Sequence, residues 1–186
     1  LLISSLGVIP DAAKCLTLDA KIPGDWVYAL GITKNELGGS EYLAMNDAIG
    51  NSVPQTDAAG ALKLYRLFYR AVQKELMASA ISVNVGGLGV ALAKMAIAGQ
   101  LGLDIDSAKI PQEGVDRPDY LLFSESQSRF VVTVDPKRQK EFEAHFGDAA
   151  QPIGTVTEKP VFKLSCVLTV NVADLTESYR KTFKNY

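Results

Sequence analysis

The sequence predicts an α+β domain in which helices pack in α/β/α layers around a mixed β-sheet. Strand-like runs and helical patterns alternate along the chain without an internal repeat. A hydrophobic fraction of 47% is sufficient for a core, and 186 residues correspond to one domain or to one domain with a short appendage. One stretch, Ser79–Gly99, combines a strand, a glycine turn and a helix, and the other elements are expected to pack around it.

Within Ser79–Gly99, a short apolar alternation leads into Gly86 and Gly87, and an apolar run follows from Leu88 to Ala98. Lys94 is the only charged residue in that run, so the predicted helix is apolar nearly all round and must be buried on most sides. The two glycines fit either close backbone packing or an anion at the N-terminus of the helix. They form neither a GxGxxG nor a Walker pattern, so the motif indicates architecture more strongly than chemistry.

The first half of the chain is predicted to contain three strands and two helices. The expected strands are Leu1–Leu6, Lys14–Asp19 and Trp26–Leu30, with a turn at Lys21–Gly24. Ser40 or Asn35 caps a short helix over Glu41–Ile49, and Asp57 caps a longer one. The apolar face of the longer helix is predicted to comprise Ala58, Ala61, Leu62, Tyr65, Tyr69, Val72 and Leu76. Its basic residues are expected to face solvent: Lys63, Arg66, Arg70 and Lys74.

The second half is predicted to add a strand, a loop, a hairpin, two helices and two further strands. The expected elements are a strand at Leu101–Ile105, a loop at Asp106–Asp119, and hairpin strands at Tyr120–Phe123 and Phe130–Val134. Asp135 starts a helix that places Phe142 and Phe146 on one face and ends at Gly147. Two strands, Ile153–Thr157 and Val161–Val170, precede a last helix with Leu175, Tyr179 and Phe183 on its apolar face and Lys181 and Lys184 at its end.

Composition excludes several classes of function. A net charge of −2 gives no electrostatic footprint for nucleic acid, and the longest apolar run is too short to span a membrane. A single histidine, His145, argues against a His-rich metal site and is expected on a helix surface. Cys15 and Cys166 lie in strand-like runs and are predicted to be buried thiols without a catalytic role, which fits a cytoplasmic protein.

Four longer motifs and one short one occur in an order typical of a known family. They are LTLDAKIPGDWVYALG, LGGSEY, SAISVNVGGLGVALAKMAIAG, LLFSESQSRFVVTV and IGTV. Together they resemble the C-terminal-type domain of the AIR synthase-related superfamily, and within it the phosphoribosylformylglycinamidine synthase family. The resemblance assigns residues 8–186 to an AIR synthase C-terminal-domain-like fold. Residues 1–7 are then the end strand of an upstream domain or an N-terminal strand.

The resemblance implies a ligase reaction of de novo purine biosynthesis. Such synthases use ATP, Mg²⁺ and ammonia from glutamine to convert the amide of formylglycinamide ribonucleotide into an amidine. The implied partners are an upstream AIR synthase-related N-terminal domain and a glutaminase subunit or domain, with no nucleic acid and no membrane. In this family the catalytic His and most Mg²⁺ ligands lie on N-terminal-type domains. We therefore expect no catalytic residue and no metal ligand in this chain, and no activity from it alone.

One departure from the family concerns the glycine turn. Many relatives carry His-Asp-Val-Ser-Asp/Glu-Gly-Gly-Leu where this chain has residues 81–88, so that Ile81, Ser82 and Val85 replace the His and both acids. Ser82 is a poorer ligand for a hard cation than Asp, so a metal role for the turn is in doubt.

The motif matches provide a set of candidate nucleotide-binding residues: Gly38, Gly39, Ser40, Asn84, Gly86, Gly87, Ser124 and Glu125. Each also has a structural alternative. Gly38–Ser40 would serve equally as a loop with a helix cap, and Ser124–Ser126 as a polar hairpin turn. Arg129 is expected in a surface ion pair, with Glu125 or with a bound anion as its partner.

Two other functional assignments stay open at this point. The chain fits the equivalent domain of another ATP-binding member of the superfamily, such as AIR synthase, a selenophosphate or thiamine-phosphate kinase, or a hydrogenase maturation factor. It also fits a non-catalytic domain whose apolar helix serves assembly, which is consistent with the changes at Ile81, Ser82 and Val85.

Overall fold

The computed structural model describes residues 3–181, which form a seven-stranded sheet, a two-stranded sheet and six α-helices. The strands are β1 Trp26–Leu30, β2 Thr33–Lys34, β3 Ser79–Val83, β4 Gly102–Ile105, β5 Gln112–Glu113, β6 Arg129–Val134, β7 Ala150–Thr157, β8 Val161–Leu164 and β9 Leu168–Asn171. The order in the large sheet is β3-β6-β1-β7-β4-β8-β9. All neighbours are antiparallel except β4 and β8, so the sheet is mixed, as predicted.

The helices cover both faces of this sheet. They are α1 Glu41–Ala44, α2 Ala58–Gln73, α3 Gly87–Gly99, α4 Pro118–Phe123, α5 Gln139–Phe146 and α6 Val172–Arg180. Short 3₁₀ turns occur at Ala12–Lys14, Ser107–Lys109, Pro136–Arg138 and Gly147–Ala149. None of the helices within residues 3–181 combines the length and apolarity that crossing a bilayer requires.

Strand β1 shows how the layers arise. Successive side chains of a strand point to opposite faces. Val27 and Ala29 therefore enter the core formed with α3, α4 and α6, whereas Tyr28 and Leu30 enter the core formed with α2 and α5. All four are at most 5% exposed, because helices cover both faces of the central strand. The Tyr28 hydroxyl donates a hydrogen bond to Glu143 on α5 at 2.6 Å. The predicted α/β/α layering is confirmed.

Helix α3 is buried on most sides, as its composition predicts. Leu92 and Met95 are fully buried, and the helix lies between the sheet and helices α4 and α6. The glycine turn before it adopts positive φ angles, 82° at Gly86 and 66° at Gly87. A Cβ on Gly87 would lie 2.5 Å from the Leu122 carbonyl oxygen, so close packing against α4 is one reason for glycine there.

Most predicted elements are present, with shifted boundaries. The strands at Trp26–Leu30 and Phe130–Val134 and the α5 helix are confirmed. Asp57 caps α2 and Ser40 caps α1, although α1 ends at Ala44 instead of Ile49. The predicted strand Val161–Val170 is divided into β8 and β9 by a turn. Residues 1 and 2 of the expected first strand lie outside the described residues, and residues 3–6 form no strand, so that prediction was wrong for the described part. Phe183 and Lys184 also lie outside the described residues.

The predicted apolar face of α2 was partly wrong. Ala61 is buried as expected, but Leu64 and Ala71 fill the core beside it, whereas Tyr65 and Tyr69 are exposed. The spacing of three and four residues fits both stripes of this helix, because Leu62, Tyr65 and Tyr69 recur at the same intervals as Leu64 and Ala71 on the neighbouring face. Packing against β6 and α5 selects the stripe that contains Leu64 and Ala71.

Two further predictions were wrong. Residues 14–19 form no strand, although the Thr17 carbonyl accepts one bond from Ala80 in edge strand β3. Cys15 follows a 3₁₀ turn there, and Cys166 takes a positive φ of 60° in the turn between β8 and β9. Both thiols are exposed and free because neither is part of a strand.

Substitution of Gly87 tests the close packing at the turn. We expect Gly87→Ala to lower the free energy of unfolding by about 2 kcal/mol or more, through positive-φ strain and the clash with the Leu122 carbonyl. Gly114→Ala is the matched control, because Gly114 has a φ of 68° but nothing within 4 Å of an added Cβ, and should cost only about 1 kcal/mol. Urea denaturation measures the free energy of unfolding of the two variants. Equal losses of stability in Gly87→Ala and Gly114→Ala would contradict the packing role of Gly87.

A buried carboxyl at the start of β1 makes stability depend on pH. Asp25 is 1% exposed, and its Oδ2 has no hydrogen-bond partner within residues 3–181. Burial raises the pKa of Asp25 above its ordinary value of 3.8, and the negative charge of Asp135 raises it further, whereas Lys21 lowers it. The unfolded chain releases this proton before the folded chain does, so the cost to stability grows as the pH rises above 3.8 and is complete above the raised folded-state pKa.

We therefore expect Asp25→Asn to raise the melting temperature at pH 7 by about 2–4 °C. The gain should vanish below the ordinary pKa of 3.8, where the carboxyl is protonated in both states. Thermal unfolding followed by circular dichroism from pH 3 to pH 8 measures it. Asp19→Asn is the control, and it should lower the melting temperature at pH 7 instead of raising it. A hydrogen bond with Thr17 lowers the pKa of Asp19, so the charged form of that carboxyl stabilises the fold. A gain at Asp25 that does not depend on pH would refute the assignment.

Candidate functional site

The Gly38–Ser40 loop is held by hydrogen bonds within the chain. The Gly38 N–H donates to the Ser52 carbonyl and the Gly39 N–H to the Ile49 carbonyl, each at 2.7 Å. Ser40 is 2% exposed, and its hydroxyl accepts from the Leu43 N–H at the start of α1. These are the groups that the sequence offers to a phosphate, and in this structure they close the loop and cap a helix.

Glu125 connects this loop to the glycine turn. Its Oε1 accepts a hydrogen bond from the Gly86 N–H at 2.9 Å and another from the Glu41 N–H at 3.2 Å. Gly86 is the N-cap of α3, and Glu41 is the first residue of α1. The anion at the N-terminus of α3 is therefore a carboxylate of the chain itself, placed where helix dipoles favour negative charge.

Ser124 and Ser126 fasten the same segment to the loop that follows β2. The Ser124 hydroxyl accepts from the Glu36 N–H at 3.0 Å and donates to the Lys34 carbonyl. The Ser126 hydroxyl accepts from the Lys34 N–H at 3.0 Å. Both serines are at most 2% exposed. They follow helix α4 and not a strand, so the predicted hairpin of Tyr120–Phe123 was wrong: Pro118 begins a helix there.

Arg129 lies beneath this loop and is 4% exposed, so the expectation of a surface ion pair was wrong. Its Nε and Nη2 donate to the carbonyls of Ser126 and Ser124 at 2.9 and 2.6 Å, and its Nη1 donates to the Thr33 hydroxyl at 2.7 Å. Burial lowers the pKa of Arg129 to about 10, against the opposing effect of the carboxylates of Glu36 and Glu125. The guanidinium stays charged at neutral pH and fixes the loop.

The LGGSEY helix also contacts α4 through Tyr42. Its ring stacks on Phe123 with centroids 5.0 Å apart, and its hydroxyl donates to Asp119 at 2.5 Å. Arg117 binds the same carboxylate, and this hydrogen bond, followed by that of Tyr42, lowers the pKa of Asp119 to about 2. Motifs that are separate in sequence thus form one cluster of loops and short helices.

The exposed side of the glycine turn has few metal ligands. Asn84 donates its side-chain amide to the Ser82 hydroxyl at 2.8 Å, and Val85 is 62% exposed. Within residues 3–181, no three His, Cys, Asp or Glu side chains form a group that would hold a metal ion. The nearest carboxylate, Glu125, already accepts two backbone hydrogen bonds. The donor set at this turn does not fit Mg²⁺.

His145 stabilises helix packing and takes no part in this cluster. Its Nε2 lies 2.9 Å from the Leu67 carbonyl and links α5 to α2, so His145 is half-buried between two helices and not on an open helix surface as expected. Glu36, in contrast, was not singled out from the sequence, yet it is 7% exposed and borders a cavity of about 480 Å³. The signal that could have identified Glu36 is its position directly before a leucine and two glycines in one tight loop.

The arrangement described so far matches a known domain. Residues 23–167 match the model of the family described as AIR synthase related protein, C-terminal domain. The chain belongs to this family. Among curated proteins, the AIR synthase-related chain is similar to the phosphoribosylformylglycinamidine synthase subunit PurL of Thermococcus sibiricus. The two are 35% identical over 143 residues, and the alignment covers 77% of this chain and 20% of that protein. The chain is also 32% identical over 186 residues to PurL of Campylobacter jejuni subsp. doylei, and that alignment covers 98% of this chain and 24% of the relative.

Solved structures of similar fold include PurL and a hydrogenase maturation protein. T. maritima PurL complexed with FGAR aligns with a TM-score of 0.77 at 23% identity, over 89% of this chain and 30% of that one. E. coli HypE, a hydrogenase maturation protein, aligns with a TM-score of 0.65 at 16% identity, over 89% and 53%. These identities establish the fold alone. The AIR synthase-related chain spans about a fifth to a quarter of the length of the curated relatives it matches.

Removing the Glu125 carboxylate tests whether it is the link between the loops. We expect Glu125→Ala to lower the free energy of unfolding by about 1–3 kcal/mol, because the Gly86 and Glu41 N–H groups lose their acceptor. Glu113→Ala removes a surface carboxylate that pairs only loosely with Lys34, at 3.8 Å, and should change stability by at most about 0.5 kcal/mol. The measurement is urea denaturation, and similar values for the two variants would argue against the link.

Proposed function

We propose that this chain is the C-terminal domain of a phosphoribosylformylglycinamidine synthase large subunit. In the proposed reaction, ATP phosphorylates the amide oxygen of formylglycinamide ribonucleotide, and ammonia released from glutamine displaces the phosphate to give the amidine. The observation that supports this best is the similarity to PurL along 98% of the chain, together with the family match over residues 23–167. Solved T. maritima PurL structures complexed with ATP and with ADP have the same fold.

Within this reaction, we assign the chain a positioning role. The loop cluster offers no activated nucleophile, and its single bridging carboxylate, Glu125, is occupied by backbone donors. Bound ATP would supply the phosphoryl group and Mg²⁺ the charge compensation, and both would be held mainly by domains other than this one. Of the eight candidate residues, Gly39 and Asn84 are exposed and are the groups we propose to face the nucleotide. The other six hold the surface in shape.

Exposed apolar residues surround this surface. Met45 at the end of α1 is 85% exposed, and Ile49, whose carbonyl holds Gly39, is 79% exposed. Val53 and Val85 are 50% and 62% exposed. Isolated exposed apolar residues are common, but four beside one polar loop cluster indicate a docking surface. We propose that the upstream AIR synthase-related N-terminal domain covers it, and that a glutaminase subunit or domain supplies ammonia to the assembled enzyme in the cytoplasm.

A calorimetric titration tests this role. Mg-ATP should not bind the chain alone, because Glu125 already occupies the N-termini of both α1 and α3 in the loop cluster. Adding the upstream domain should create tight binding. In the full-length enzyme, Met45→Asp should lower ammonia-dependent amidine formation by roughly tenfold, by placing a charge in the proposed interface. Val167→Asp, in the turn before β9, is the control and should leave activity unchanged. Tight Mg-ATP binding by the chain alone would contradict the positioning role.

A non-catalytic assembly domain is the second candidate. The observation that favours it is that the chain's own carboxylate occupies the N-terminus of α3, next to the changes at Ser82 and Val85. If Mg-ATP binds neither the chain nor its mixture with the upstream domain, and Met45→Asp only separates the two domains, the assembly role is the correct one. HypE, a hydrogenase maturation protein, has the same fold, so structural similarity by itself does not distinguish the two candidate functions.

A further inference from the structure

A cavity of about 480 Å³ lies on the α2 side of the sheet, where it adjoins the loop cluster at Lys34, Glu36 and Ser126. It is bounded by the loop that follows β1, the N-terminal turns of α2, and the 3₁₀ turn after α5. Its volume falls within the range of small-molecule sites. None of the eight residues proposed above for the nucleotide site lines it, so the cavity is a separate feature of the domain.

Glu36 is the polar group that distinguishes this cavity. The residue is 7% exposed, and its Oε1 accepts a hydrogen bond from the Gln55 N–H at 3.0 Å. Its Oε2 is buried and has no hydrogen-bond partner within residues 3–181. A buried carboxylate oxygen without a donor is costly, so this atom creates a specific demand for an N–H or O–H group.

The buried cation nearby does not meet that demand. Arg129 stabilises the charge of Glu36 at a distance, but its N–H groups are directed at Ser124, Ser126 and Thr33. The Glu36 Oε2 atom is thus left without a donor from Arg129. A carboxylate oxygen forms its strongest hydrogen bonds with a charged donor.

The rest of the lining adds a negative bias and an apolar wall. Asp57 and Asp148 bring the number of carboxylates on the lining to three, against two lysines, Lys34 and Lys63. Leu64 and Leu67 of α2 line the same space. A ligand that fits both parts has a positively charged head and an alkyl or ring body.

We propose that this cavity binds a small organic amine in its protonated form, with an ammonium N–H donated to Glu36 Oε2 and the apolar body against Leu64 and Leu67. The site is independent of the function proposed above, because it shares no residue with the proposed nucleotide surface. Each proposal can therefore be refuted without refuting the other.

Titrations of the 186-residue chain followed by amide ¹H–¹⁵N spectra test the site with three probes of similar size. Butylammonium should give saturable shifts at Gln55 and its neighbours, whereas n-butanol and butyrate should bind at least roughly tenfold more weakly. Titration up to about 100 mM covers the weak affinity that five heavy atoms permit. No saturable shift with butylammonium, or equal binding of the three probes, would overturn the proposal.

Variants locate the binding. Glu36→Gln should weaken butylammonium binding by roughly tenfold or more, because the amide keeps the size of the side chain but loses its charge. Thr56→Trp, at the exposed rim of the cavity, retains Glu36 but fills the entrance, and should also abolish binding. Glu158→Gln makes the same chemical change in the exposed turn before β8 and should leave binding unchanged. Wild-type affinity in Glu36→Gln or Thr56→Trp would show that the probe binds elsewhere.

Discussion

One carboxylate holds the functional end of this domain together. Glu125 accepts hydrogen bonds from the first N–H of α1 and from the N-cap of α3, two donors that are 45 positions apart in sequence. The buried guanidinium of Arg129 donates hydrogen bonds to the carbonyls of Ser124 and Ser126, the residues on either side of Glu125. Without this pair of interactions the helix N-termini would need water or a ligand as acceptor, and the loop carrying Ser124 and Ser126 would lose its attachment.

The layered sheet gives this cluster its position. Because β1 and β6 are covered on both faces, their side chains alternate between two cores, and the strand ends are held in place by both. Helix α3 starts at the glycine turn and is enclosed by the sheet, α4 and α6, so its N-terminus has little freedom to move. A rigid helix start is what the proposed positioning role requires, and the Glu125 carboxylate occupies that start from within the chain.

This arrangement accounts for how an AIR synthase-related domain can serve a nucleotide-dependent enzyme while contributing few reacting groups. The chain retains the glycines, which the backbone path needs, and lacks the acidic residues at positions 82 and 85 that a metal would need. For the proposed docking of a partner domain, the exposed apolar residues beside the loops are then more important than any single polar group. The separate cavity at Glu36 shows that one loop presents chemistry to two sides: its backbone joins the cluster, and its side chain points to α2.

The sequence by itself determined the fold class, the strand–glycine–helix unit and most helix caps, because alternation, periodicity and capping residues act over a few positions. It also determined the family, through the order of motifs. Only the tertiary structure decided which stripe of α2 is buried, that residues 118–123 are helical, and that both cysteines are exposed. It alone decided that Arg129 is buried and that Glu125 meets Gly86. Those outcomes depend on contacts between distant segments, and no local pattern in the chain records which segments will meet.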